Sequence, residues 1–239
     1  MHRLDLTLPT PEANLACDEA LLDDCEQKQD REILRFWESP RPFVVLGLAS
    51  RRDREVDAAA CAARGIPILR RCSGGGTVVQ GPGCLSYTLI LRIAGNRPLE
   101  RIDSTNAFIM ERHGHLLAEA TGLPIRHQGA TDLAVGQRKF SGNAQRRRRR
   151  FLLFHGTFLL DFSIPLMEEI LPYPPKTPRY RRKRSHRTFL TNLHQPPARI
   201  KDLLARCWNA APADPDLPAD AIASLVESKY SVPGWNERC

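Results

Sequence analysis

Apolar and polar positions along the chain follow two periods, and the switches between them outline the elements. Between Glu12 and Leu22 the apolar residues Leu15, Ala16 and Leu22 fall on one stripe, with acids in the early turns, which predicts a helix. Glu32–Trp37 and Phe43–Gly47 are short apolar runs separated by the turn Ser39-Pro40-Arg41-Pro42, and read as strands. Val56–Arg64 is an Ala-rich helix ended by Gly65. Strands Pro67–Arg70 and Thr77–Gln80 lie on either side of a glycine triplet, and Cys84–Ile93 alternates as a third strand. Ile102–Thr121 has the pattern of a long amphipathic helix stopped by Gly122. Thr131–Val135 and Arg138–Gln145 flank Gly136-Gln137 as a hairpin, and Phe151–Phe162 is strongly β in character. Beyond it Pro172, Pro174, Pro175 and Pro178 interrupt regular structure, and Ile200–Trp208 and Ala219–Tyr230 read as short helices on either side of Ala211–Pro218. Strands and helices are interspersed without an internal repeat. The class is α+β, a mixed or antiparallel sheet flanked by helices.

Length and composition narrow this. A chain of 239 residues suits one large domain. The expectation is a single catalytic-type domain over 1–239, with a core over about 1–195 and a helical C-terminal tail over 196–239. A hydrophobic content of 42% is enough for a core. No apolar run reaches the ~18–20 residues of a membrane span, and Met1–Thr7 does not open a signal peptide. Seven cysteines without a CxxC pair read as reduced thiols, which points to a cytoplasmic location and away from a disulfide frame or zinc site.

Charge adds a regional feature. Arg138–Arg187 holds 14 basic and three acidic residues, net +11, so the remainder carries −3 within a total of +8. A face this basic recruits an anionic partner: a nucleic acid, an acidic protein or a phosphorylated small molecule. Few aromatics interleave with the arginines, which argues against nucleic acid.

Three stretches carry candidate chemistry. In Arg70-Arg71-Cys72-Ser73-Gly74-Gly75-Gly76-Thr77, two cations run into a glycine floor. The contiguous glycines fit neither a P-loop nor a dinucleotide fingerprint; anion cradle and tight turn are about equally good readings. In Asp132–Gln145, Lys139 is followed by the small residues Ser141, Gly142 and Ala144, where a ligand could touch backbone, although a lysine in a hairpin is ordinarily solvated. His155-Gly156-Thr157 puts glycine inside a strand, a mark of a bulge or close approach, beside a histidine of a type more often structural than catalytic.

Taken in order, these runs resemble the lipoate–protein ligase A family, within the biotin/lipoate ligase and octanoyltransferase superfamily. The resemblance extends to Asn14-Leu15-Ala16-Cys17-Asp18-Glu19, to Gln137–Gln145 and to Lys229-Tyr230…Trp235-Asn236. It implies a biotin/lipoate ligase-like catalytic domain that activates lipoate, or octanoate, with ATP and Mg²⁺ as co-substrates and holds no tightly bound prosthetic group. The acyl-adenylate would be passed to a lysine of a carrier domain, either the E2 component of a 2-oxoacid dehydrogenase or the glycine cleavage H protein. On this resemblance Lys139 is the catalytic lysine and Arg70 lies on the phosphate side. Gly74, Gly75 and Gly76 form the wall along the acyl chain, and Arg71, Ser73 and Thr77 bind substrate or adenylate. Asp132 lies near nucleotide and Mg²⁺, Gly142, Asn143 and Ala144 face the adenylate, and Ser141 binds substrate or adenylate. His155 and Gly156 line the acyl pocket, and Thr157 binds substrate or adenylate. The partner would be an acidic carrier domain docking on the Arg146–Arg150 block, with no membrane association, and the basic segment Arg179–Arg187 would close over the adenylate.

The pattern departs from the family in two ways. Full-length bacterial ligases continue into an accessory domain that this chain does not show after Trp235-Asn236, so an accessory subunit or a transferase working from preformed adenylate is also expected. An octanoyltransferase would need a cysteine, yet the loop Arg126–Thr131 and the stretch Ser185–Leu193 hold none. Cys72 is the thiol nearest the proposed pocket.

Overall fold

The computed structural model describes residues 1–28, 30–214 and 216–238. Eleven strands are formed among them: β1 (His2–Asp5), β2 (Ile33–Trp37), β3 (Phe43–Leu46), β4 (Ile68–Arg70), β5 (Val78–Gln80), β6 (Cys84–Arg92), β7 (Ile125–Gln128), β8 (Asp132–Val135), β9 (Arg138–Arg147), β10 (Phe151–Leu159) and β11 (Ala211–Pro212). Eight make one sheet in the order β11-β1-β2-β6-β10-β9-β8-β7, and the other three make a small sheet, β4-β3-β5. β1 pairs in parallel with β2 and β11, whereas β2, β6, β10, β9, β8 and β7 are antiparallel in succession. The mixed sheet flanked by helices agrees with the expected class.

The helices in chain order are α1 (Pro11–Gln27), α2 (Arg52–Glu55), α3 (Ala58–Ala63), α4 (Ile102–Thr121), α5 (Ile164–Ile170), α6 (His186–Phe189), α7 (Pro197–Cys207), α8 (Ala219–Leu225) and α9 (Pro233–Asn236). α1 starts at Thr10, whose hydroxyl accepts from the Ala13 amide, with Pro11 supplying a preset φ in the first turn. α4 stops at Gly122, which takes φ +69° to close the last turn. None of the helices is long and apolar enough to cross a membrane.

Strand alternation decides which helix each face meets. In β2, Leu34 and Phe36 join Tyr87, Phe154, Phe158 and the α4 residues Ile109 and Leu117 in one core. Ile33 and Trp37 point the other way and pack with Leu15, Leu21 and Leu22 of α1. The tail is stitched into both: Ile200 and Leu204 of α7 enter the α4-side core, and Ile222 and Tyr230 the α1-side core.

Several elements differ from the expectation. The helix expected over Val56–Arg64 forms as α3, with Asp57 capping it through the Ala60 amide, and a separate single turn, α2, precedes it. The segment read as the loop Arg126–Thr131 forms β7 as far as Gln128, because β8 offers it an open edge. β1, β11 and α5 had no periodic signal long enough to be read. β10 ends at Leu159 and not at Phe162, where Asn192 bonds the Phe162 backbone instead.

Candidate functional site

The site is built on one row of residues running straight across the large sheet. Trp37 of β2 is the register partner of Ser86, Ser86 of Thr157, Thr157 of Gly142, and Gly142 of Asp132. Directly opposed residues share a face, so these five form a floor on the α1 side. A second row, Arg35–Thr88–His155–Ala144, lies beside it. The small residues of the first row leave a trough, which the glycine loop and β5 cover from above.

Two connected cavities result. The inner one, about 190 Å³, lies between this floor, Leu15, Val45, Val78 and the Gly75-Gly76 backbone. The outer cleft, about 660 Å³, lies between Gly76–Val79, the β8–β9 hairpin and the Pro-rich basic segment, with Lys176, Arg179 and Arg181 on its wall. Thr77, Asp132, Lys139, Gly142 and Thr157 border both. Lys139 therefore stands at the junction. Its Nζ lies 2.7 Å from Asp132 Oδ1, and Asp132 Oδ2 accepts a 2.8 Å bond from the Tyr180 hydroxyl. Burial, together with the Asp132 charge, pushes the Tyr180 hydroxyl well above its ordinary pKa, so it stays a donor. Gly142 makes room for the lysine: a Cβ there would lie 2.7 Å from Nζ.

The glycine loop is held by Arg71. Its guanidinium donates to the carbonyls of Gly74 (2.6 Å), Gly76 (2.8 Å) and Val45 (3.3 Å), and to Ser73 Oγ (3.1 Å). Burial lowers its pKa to about 10, which leaves it charged at neutral pH. Gly75 sits at φ +87°, a conformation glycine adopts without strain. Ser73 is within 2.6 Å of His155 Nε2, and His155 Nδ1 lies 3.4 Å from Asp18 Oδ2. Burial alone would raise the Asp18 carboxyl, but Arg35, His155 and Thr88 outweigh it and hold it below its ordinary value. The ionised Asp18 accepts from Nδ1–H, and Nε2 and the Ser73 hydroxyl share the next bond in the chain. A buried relay, Asp18–His155–Ser73–Arg71, thus fixes the loop above the cavity.

The structure brings together most of the residues singled out from sequence and separates a few. Arg71, Gly75, Gly76, Thr77, Asp132, Gly142, Asn143, Ala144, His155, Gly156 and Thr157 line the inner cavity, and Ser141 lines the outer cleft. Arg70 does not reach either. It is fully buried, and donates to the carbonyls of Gly47, Ser50, Trp235, Asn236 and Arg238. A strand alternates its side chains, so of two adjacent arginines only Arg71 can turn to the site. Ser73 and Gly74 contribute to the loop's framework and not to the lining. Asp132 has both oxygens engaged, by Lys139 and Tyr180, and among the described residues no cluster of three metal-ligating side chains occurs.

The arginine block is the surface on which an acidic carrier domain was expected to dock. It does end a hairpin, but Arg146 donates to the Cys72 carbonyl and pairs with Glu19 (3.4 Å), Arg147 donates to the Leu99 carbonyl, Arg148 pairs with Asp23 (2.6 Å), and Arg150 bonds the Glu26 carbonyl. Four of the five have partners within the chain, three of them on α1, while Arg148 and Arg150 stay partly exposed. Cys72 is buried outside both cavities, and burial pushes its thiol up to about 12. Among the described residues no cysteine lines either cavity.

Asp18, Trp37, Gln80, Ser86 and Tyr180 also build the site, and sequence reading did not single them out as site residues. Asp18 lay inside the helix run noted for its resemblance. The others sit in ordinary strand or basic contexts and carry no local signal.

Residues 10–207 match the family model described as the lipoyl protein ligase A/B catalytic domain. A provisionally named lipoate-protein ligase A of Aeropyrum pernix is 33% identical over 159 residues, covering 66% of this chain and 56% of the relative. The chain therefore spans only about half of that relative's length. The octanoyltransferase LipM of Symbiobacterium thermophilum is 27% identical over 267 aligned residues, covering 96% of this chain and 95% of the relative. In fold, the chain matches an archaeal bipartite lipoate protein ligase from Thermoplasma acidophilum, solved in work that also describes its E2 lipoyl domain. That match has a TM-score of 0.84 at 22% identity, covering 99% of this chain and 95% of the other.

Proposed function

The chain belongs to the lipoyl protein ligase A/B catalytic-domain family, and from that premise we propose that it transfers a lipoyl group, through lipoyl-adenylate, to a lysine of a carrier domain. The observation that carries this reading is the position of Lys139 where a narrow inner cavity opens into a wider, basic-walled cleft. The inner cavity suits a thin acyl chain and the outer cleft a nucleotide. Lys139 then meets the carboxyl and the α-phosphate at once.

Two steps follow. The substrate carboxylate attacks the α-phosphorus of ATP, an acyl–phosphate bond forms and pyrophosphate leaves. The carrier lysine, as free amine, then attacks the acyl carbonyl, the C–O bond to phosphate breaks, AMP leaves and the amine proton passes to solvent. Negative charge builds at the join in both steps, and a fixed ammonium there stabilises it in surroundings that exclude much of the water. Asp132 holds that ammonium in place until the anion takes over as its partner. Mg²⁺ would enter on the nucleotide phosphates, as it commonly does with one or two carboxylates in support. Asp132 could supply one oxygen once Lys139 has turned to the phosphate.

A second reading, acyl transfer from an acyl carrier protein thioester, is supported by the match along almost the whole length of the Symbiobacterium octanoyltransferase. It is opposed by the absence of a thiol on either cavity among the described residues. Incubation of the protein with lipoate, Mg-ATP and apo carrier domain, read by intact mass, tests the first reading. Lipoyl addition that requires ATP or synthetic lipoyl-adenylate, and that Lys139→Ala reduces at least about 100-fold, supports it. ATP-independent transfer from octanoyl-acyl carrier protein would replace it with the second, and undiminished transfer by Lys139→Ala would remove the mechanism.

A further inference from the structure

The run Lys229-Tyr230…Trp235-Asn236 borders neither cavity, yet it is fastened to the strand that leads into the glycine loop. β4 pairs with β3 alone, Arg70 opposite Leu46, so its other edge is open. The Arg71 amide donates to the Leu46 carbonyl at 3.0 Å, on the β3 side. The backbone N–H and C=O of Arg70 face the open edge, and two side chains at the end of α9 take up both. Asn236 Oδ1 accepts from the Arg70 amide at 2.9 Å, and Trp235 Nε1 donates to the Arg70 carbonyl at 2.8 Å. An open strand edge presents exactly such unpaired groups to any partner; here a carboxamide and an indole close it at one residue. Both are braced from behind. Asn236 Nδ2 donates to the Tyr230 carbonyl at 2.8 Å, the Lys229 ammonium lies 4.1 Å from the centre of the Trp235 ring, and Lys229 and the Tyr230 hydroxyl are anchored on Glu19 of α1 at 2.6 and 2.7 Å.

From Arg70 the connection runs to the cover of the inner cavity. Its Nη1 donates to the carbonyls of Gly47 (2.9 Å) and Ser50 (2.8 Å), and the Ser50 hydroxyl donates to the Gly75 carbonyl at 3.5 Å. The Leu48 amide donates to the Ser73 carbonyl at 2.8 Å. Gly47 packs so closely on the glycine loop that a Cβ on it would overlap the Gly75 carbonyl oxygen. Residues 47–50 are therefore gripped between Arg70 and the loop, and Gly75 lines the inner cavity. A second link runs beside the first: Arg52 of α2 pairs with Glu237, and Glu55 of the same turn accepts from the Thr77 hydroxyl at 2.7 Å.

We propose that Trp235 and Asn236 are positioning residues for the acyl-adenylate site, acting through Arg70 and residues 47–50 to hold the glycine loop over a bound substrate. This rests on the reading of the two cavities as the site of lipoyl-adenylate. Lys139 is held from β9 by Asp132, independently of α9. A loosened cover thus weakens the hold on the substrate and leaves the chemical step intact in the molecules that bind it. Such a loss raises KM and spares kcat. A segment that only supported folding gives the opposite split, because fewer active molecules lower kcat at an unchanged KM.

Steady-state transfer from synthetic lipoyl-adenylate to an apo carrier domain, on the full chain, reads this split. Trp235→Phe keeps a ring and removes the N–H; Asn236→Ala removes the acceptor. Each is expected to raise the KM for lipoyl-adenylate at least about fivefold, the scale of one hydrogen bond, with kcat within about twofold. Tyr230→Phe removes the bond to Glu19 and leaves both bonds to Arg70, so it is expected to lower the unfolding midpoint and keep KM within about twofold. Amide exchange at Leu48 is expected to quicken in Trp235→Phe and Asn236→Ala and not in Tyr230→Phe. A lowered kcat at unchanged KM in the first two variants overturns the proposal, as does an equal rise of KM in Tyr230→Phe or unchanged exchange at Leu48. If Asn236→Ala does not fold, Trp235→Phe decides alone. If the wild type does not transfer from lipoyl-adenylate, the reading of the cavities fails, while exchange at Leu48 still shows whether α9 holds the cover.

Discussion

At the scale of single residues, adjacent arginines illustrate how one side chain becomes functional and its neighbour structural. Arg71 turns inward to hold Gly74 and Gly76, while Arg70 gathers carbonyls from the loop after β3 and from the C-terminal segment. Replacing Arg70 with Met leaves those buried acceptors unmet, and is expected to cost about 3–5 kcal/mol of stability in urea unfolding. Loss of activity without loss of stability would contradict the structural role. Gly142 makes the opposite case. Gly142→Ala puts a methyl 2.7 Å from the Lys139 ammonium and must displace it. Acylation is expected to fall at least about 100-fold, the scale for misplacing a group at the reacting centre, with the midpoint of thermal unfolding moved by only a few degrees.

At the scale of elements, the β9–β10 hairpin and α1 are fastened to each other by charge. Arg148 and Asp23 form a half-exposed pair at 2.6 Å. Glu19 is buried and meets Lys229 at 2.6 Å, the Tyr230 hydroxyl at 2.7 Å and Arg146 at 3.4 Å. Arg148→Ala is expected to change stability by less than about 1 kcal/mol, as exposed pairs do. Glu19→Ala is expected to cost about 2–4 kcal/mol, because it strands two half-buried cations and the buried Tyr230 hydroxyl. Neither should change the KM for a carrier domain by more than about twofold, whereas a hairpin used for docking would show a raised KM in Arg148→Ala and Arg149→Ala. The Pro-rich segment is different, since Lys176 and Arg179 face the outer cleft. Charge reversal at both is expected to raise the KM for ATP about tenfold or more, from loss of two cations near phosphate, with lipoate binding in the inner cavity little changed.

At the scale of the whole molecule, two histidines in separate places couple stability to pH. Burial, reinforced by Arg112, pushes His113 down to about 3, and burial, reinforced by Arg181, pushes His186 down to about 4. Trp208 Nε1 donates to His113 Nε2 at 2.7 Å, which also requires the neutral ring. The unfolded chain binds protons on these rings below an ordinary value of about 6.5, and the folded chain does not until pH nears 4 and 3. Stability is therefore full above about pH 6.5 and falls progressively as pH drops below it. Urea unfolding between pH 7.5 and 4 is expected to show that fall. His113→Leu should lower the neutral-pH value, by orphaning the Trp208 N–H, yet flatten the acid slope. An unchanged slope would mean that His113 is not the coupled group.

Much of this protein was legible before any fold was known. The periodicity marked α4, β6, β9 and β10 nearly to their ends, and α1 to within five residues of its C-terminal end, because a helix stripe or a strand alternation is written in neighbouring residues and records which side will be buried. The runs around Gly74, Lys139 and His155 marked three walls of one site, because close backbone approach demands small residues wherever it occurs. Tertiary structure decided the remainder. It put Trp37, Ser86, Thr157, Gly142 and Asp132 in one line, turned Arg71 inward and Arg70 away, and set most of the arginine block against the acids of α1. Those outcomes depend on register between strands distant in sequence and on which groups meet across the fold. Periodicity fixes the face a side chain takes, but only the pairing of strands fixes its neighbour.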